Sequence, residues 1–187
     1  MPSMPIFGRW KAERQSQDRA ERFVAGLLAE PAADDVAWLS GTATRGDDDH
    51  AAWELRYARR ALGLVTAQRD ALDDRTGAAV AHAMAAAFER DPRIGRDRLE
   101  LAQGQFNARL SAYRDALAAR FTAATPARLG RTLLAFAGGS FREVDSNVAR
   151  AGELLSRYLD EGNDALRAIF GTASLPEHVS PSAIDRR

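Results

Sequence analysis

The chain has 187 residues, no cysteine, and 26 basic side chains balanced by 26 acidic ones. Its length favours one domain, large enough to bury roughly 70% of its unfolded surface without a metal or disulfide to hold it. The missing cysteines exclude disulfides, zinc–thiolate sites, iron–sulfur clusters and thiol catalysis, and the charge balance supplies no basic field for nucleic acid.

Lys11 is the single lysine. An arginine excess suits phosphate or carboxylate recognition, but nucleotide-composition bias is the simpler cause. No segment approaches the ~20 apolar residues of a membrane span, and the N-terminal stretch lacks the apolar core of a secretory signal. The expectation is a cytoplasmic protein with no cofactor, no metal and no transmembrane segment.

β-Branched residues are scarce and alanine is abundant, so propensity favours helix nearly throughout. The chain reads as an all-α bundle of about six to seven helices over residues 1–171, followed by a polar, proline-punctuated and flexible tail over 172–187. The first helix is expected over 9–30, stopping before Pro31. At its start, Ile6, Phe7 and Trp10, with Arg14 one turn on, form the best partner-binding candidate, since exposed aromatics with arginine anchor interfaces. Docking of these aromatics on the chain's own bundle is the favoured alternative. Glu13, Asp18 and Glu21 interleave the helix and weaken a membrane-surface reading. A short helix follows over 33–43.

The third helix, over 48–71, opens from "GDDDHAAWELRYARRALG". Asp47, Asp48 and Asp49 stand where carboxylates cap free N–H groups and offset the helix dipole, so they need no metal. His50 and Glu54 share a helical face but are half a metal site at most. Projection at 100° per residue sets Trp53, Tyr57, Ala61, Leu64 and Val65 on a broad apolar arc, with Arg56, Arg59 and Arg60 on an outer, solvated face. Glu54 falls near the middle of that arc. A carboxylate there must be paired, hydrogen-bonded or protonated, because burying it bare costs several kcal/mol. His50, Gln68 or an arginine from another helix would serve, or the position reaches solvent at the bundle end. The functional alternative is a pocket carboxylate, with His50, Tyr57 and Gln103 as its ligand-binding neighbours.

The fourth helix, over 74–90, is broken by Pro92. His82 projects opposite its inner face of Val80, Met84 and Phe88. In the fifth helix, over 96–122, Leu99, Phe106, Leu110, Tyr113, Leu117 and Phe121 recur, with Gln103, at spacings of three and four, a bundle seam in which Gln103 takes the one polar position. The sixth helix has Thr125 as expected N-cap and Pro126 as first helical residue, with Leu129, Leu133 and Phe136 inward and Gly138-Gly139 as the stop. "AFAGGSF" lacks both the Gly-Lys-Ser/Thr of a phosphate loop and a Gly-x-Ser-x-Gly elbow. The last helix, over 144–169, gathers Val148, Leu155, Leu159, Leu166, Ile169 and Phe170 on one face.

"FNARLSAYRDAL" (106–117) followed by "LGRTLLAFAGG" (129–139) resembles the C-terminal half of the ubiquinol–cytochrome c chaperone family, small helical assembly factors of respiratory complexes. The Gly-Asp-x-x-Val-Gly-Lys stretch associated with that family has no counterpart here, where "RIGRDRLEL" (93–101) stands, and the assignment is not adopted. The leading expectation is a non-catalytic interaction or assembly protein, with another protein as its partner. A ligand-binding or enzymatic bundle around Glu54, and a structural homo-oligomer, are the alternatives.

Overall fold

Helix propensity is realised along most of the described chain. The computed structural model describes residues 6–71, 73–118, 124–139 and 145–171, apart from the side chains of 6–9, 11 and 12. Seven α-helices and no strand occur among the described residues: α1 (Ile6–Leu27), α2 (Ala33–Thr42), α3 (Asp48–Asp70), α4 (Asp74–Arg90), α5 (Leu99–Ala118), α6 (Thr125–Phe136) and α7 (Ser146–Phe170). A single 3-10 turn, Arg96–Arg98, leads into α5. Residues 172–187, expected as a flexible tail, and Phe121 lie outside the described residues. None of the described helices is long and apolar enough to cross a membrane.

Three aspartates start three helices. Asp47 accepts from the His50 backbone N–H (2.9 Å), Asp73 from Thr76 (2.7 Å) and Asp145 from Asn147 (2.8 Å). Each satisfies one of the orphan donors of a first turn. Thr125 departs from expectation. It is the first helical residue rather than the cap, which places Pro126 second. Its hydroxyl is fully buried and accepts from Arg128 Nη2 (2.9 Å), while Arg128 Nε reaches the Ala116 carbonyl (3.0 Å). That hydroxyl therefore helps tie α6 to α5 instead of closing a helix end. Gly138 takes φ +87°, a left-handed turn that suits glycine and ends α6 as expected.

α3 is the axis of the bundle. It contacts α1, α2, α4, α5, α6 and α7, and its buried residues run from Ala51 to Ala67. The seam of α5 is buried at Phe106, Tyr113 and Leu117 and half-buried at Leu99 and Leu110. α6 packs on α5 with Leu129 and Leu133 buried, and α7 packs on α6, α3 and α1 with Val148, Leu155, Leu159 and Leu166 buried. α6 and α7 meet backbone to backbone: a Cβ at Gly130 would strike the Val148 carbonyl, and one at Gly152 the Pro126 carbonyl.

Candidate functional site

Glu54, in the second turn of α3, is 2% exposed. Burial on the inner side of the central helix forces the question of its partner, and Arg109 of α5 supplies it. Arg109 Nε donates to Oε2 at 3.0 Å, and Nη2 donates to Oε1. This is the fork that a planar guanidinium offers a carboxylate. His50, one turn back and partly exposed, places Nε2 3.4 Å from Oε1. Arg109 is itself clamped, its Cζ 4.5 Å from the Phe136 ring centroid and 5.2 Å from that of Tyr57, with Nη1 donating to the Gln105 carbonyl (3.2 Å). Burial works against the charged guanidinium, yet the hydrogen bond and charge of Glu54 more than offset it, and the Arg109 pKa rises.

Tyr57 joins this cluster from the next turn of α3. Its hydroxyl donates to Gln105 Oε1 at 3.2 Å. Its ring packs on Trp53, Phe88 and Phe106, with centroids 5.4, 6.4 and 6.4 Å away. Burial raises its pKa, the Glu54 charge adds to that, and the Arg109 charge opposes it. Trp53, Tyr57, Arg98, Leu101 and Gln105 line a surface groove of about 310 Å3, a wall in which Glu54 takes no part. Of the four ligand-binding candidates, His50, Glu54 and Tyr57 come together. Gln103 is half-buried on α5, and it is Gln105, two residues on, that meets Tyr57. Both oxygens of Glu54 face protein donors, an arrangement that fixes α3 against α5. Among the described residues no group of three or more His, Asp or Glu could hold a metal ion.

The arginines of α3 overturn the expected solvated face. Arg60 is 1% exposed and donates through Nη2 to Asp91 Oδ2 at 2.8 Å. Arg56 pairs with Glu30 (2.8 Å) and Arg59 with Glu161 (2.5 Å), their side chains only 13% and 21% exposed. The physical reason is that α3 has neighbours on every side, so a helical projection that assumes one wet face fails. Arg109 and Asp91, the decisive partners, are invisible to such a projection because they lie 55 and 31 residues away. His82 is exposed, as expected.

At the other end of the chain, Trp10 is 57% exposed, and the Arg14 guanidinium lies 4.7 Å from its ring centroid. Trp10 therefore does not dock on the bundle as favoured from sequence. The side chains of Ile6 and Phe7 lie outside the described residues. Comparison with family models, with curated proteins and with solved structures finds no match for the chain, so the likeness of 106–117 and 129–139 to the ubiquinol–cytochrome c chaperones gains no support.

Proposed function

We propose that the chain is a non-catalytic interaction or accessory protein that offers a helical surface, anchored at Trp10 and Arg14, to another protein. The observation that carries this reading is the exposed Trp10 ring under the Arg14 guanidinium on α1. A tryptophan left in water forfeits a large apolar surface, and tryptophan and arginine are the residues most enriched at the energetic centre of interfaces. The buried Glu54–Arg109 pair supports the same reading, since it commits Glu54 to packing.

The test is quantitative capture of partners from native extract by wild type, Trp10→Ala and Arg14→Ala, with thermal melting of each variant alongside. The expected result is a discrete partner lost with Trp10→Ala while the melting temperature stays put. Capture unchanged by either substitution contradicts the proposal. A second reading, a small-molecule binding bundle, is favoured by the 310 Å3 groove beside Tyr57, close to the lower limit for ligand pockets. Ligand copurifying with the protein and lost on Tyr57→Ala would select it. Concentration-dependent mass of the isolated protein would select a homo-oligomer.

A further inference from the structure

Arg60 carries more hydrogen-bonding capacity than the protein uses. It is 1% exposed, and its Nη2 donates to Asp91 Oδ2. Its Nε and Nη1 find no acceptor among the described residues. The Phe88 ring centroid lies 5.1 Å from its Cζ and the Trp53 centroid 6.0 Å; aromatic contacts satisfy the positive charge of a guanidinium, not its N–H donors. Asp91 cannot make up the deficit, because Oδ1 already accepts from the Arg93 backbone N–H and from Arg93 Nη1, both at 3.1 Å. Buried donors left unmet are costly and rare in folded proteins.

Arg60 also borders a cleft of about 300 Å3 between α1 and the C-terminal end of α4. Arg90 and Arg93 stand in the same wall, and Glu21 and Asp91 are the acids among its described residues, so three cations face two anions. Extending the tally to Glu30, which forms ion pairs with both Arg93 and Arg56, and to Arg56 itself leaves the excess at one positive charge. The rest of the wall is aliphatic: Val24, Ala25, Leu28, Ala83, Ala87 and Pro92. The volume lies at the lower end of ligand pockets. We propose that this cleft binds a small aliphatic carboxylate, its anionic head set among Arg60, Arg90 and Arg93 and its chain laid on the α1 and α4 walls. The head would supply the acceptors that Arg60 lacks and cancel the surplus charge; the chain would cover apolar surface that is otherwise wet. This site shares no residue with the Trp10 anchor, and it stands or falls independently of it.

The test is isothermal titration of the full chain with octanoate, octanol and inorganic phosphate. Octanol keeps the chain without the charge, and phosphate keeps the charge without the chain. The expected result is saturable one-to-one octanoate binding, with octanol and phosphate each weaker by about tenfold or more, the loss that goes with one hydrogen bond to a charged group. Ala25→Phe, at an exposed position of α1, fills the cleft without touching a charge and is expected to weaken octanoate by a similar factor. Arg60→Lys, which keeps the charge beside Asp91 but loses the fork, is expected to do the same. If Arg60→Lys does not fold, Ala25→Phe carries the comparison. No saturable octanoate binding, octanol or phosphate as tight as octanoate, or binding indifferent to Ala25→Phe would overturn the proposal and leave water as the acceptor for Arg60.

Discussion

Two arginine–carboxylate pairs are buried along α3, six residues apart, and they are built differently. At Glu54 the helix contributes the acid. Both oxygens are held by the Arg109 fork, His50 stands by, and aromatic rings clamp the guanidinium. At Arg60 the helix contributes the base. One nitrogen reaches Asp91, two nitrogens reach nothing described, and Asp91 leans as much on Arg93 as on Arg60. The difference teaches that burial alone does not define an ion pair's role. The first pair is closed on itself and acts as a fastener between α3 and α5. The second is open and borders a cleft.

The sharpest way to break the comparison is to remove one member of each pair and measure urea unfolding. Glu54→Ala strands Arg109, whose side chain is 12% exposed, and is expected to cost about 3–5 kcal/mol. Arg60→Met leaves Asp91 with both Arg93 donors and deletes a half-satisfied cation, so a smaller loss of about 1–2 kcal/mol is expected. A larger loss for Arg60→Met than for Glu54→Ala would show that Arg60 is better satisfied than its partners here suggest.

Acid titration sharpens the open pair. Burial pushes the Asp91 carboxyl up, but the Arg60 and Arg93 hydrogen bonds and charges together bring it below its ordinary value of 3.8. A carboxyl with a lowered folded pKa contributes stability that is fully present above the unfolded value and is lost as pH falls through the folded one. Wild type should therefore lose resistance to urea below about pH 4 more steeply than Asp91→Asn. Equal slopes would contradict a native-state role for the ionised Asp91.

The smallest effect concerns how His50 is delivered to the closed pair. Asp47 caps α3 by accepting from the His50 N–H, and Asp47→Ala is expected to cost about 1 kcal/mol. Thermal unfolding that leaves Asp47→Ala within about 0.3 kcal/mol of wild type would mean that the cap is not needed to start this helix.

How much of this was legible in the sequence divides along the same line. The helices, the Asp47 cap and the buried face of α7 follow from local rules, since spacing, capping and propensity act within a few residues. Glu54 was legible as a carboxylate in need of a partner, because its place on an apolar arc is also local. Arg109 was not, because pairing across the bundle depends on the relative rotation of α3 and α5, which no local pattern encodes. Arg60 was misplaced on a wet face for a related reason: the number of neighbours around a helix is a tertiary property. The exposed Trp10 likewise could not be told from a docked one by hydrophobicity alone.

The most direct test of the claim that these charged residues serve packing is a double-mutant cycle on Glu54 and Arg109, using Glu54→Ala, Arg109→Ala and the pair, read by urea unfolding. Residues in direct contact within one network are expected to show a coupling of at least about 1 kcal/mol, the double variant losing much less than the sum of the singles. Losses that simply add would mean that the two side chains act independently, and the fastener between α3 and α5 would not exist.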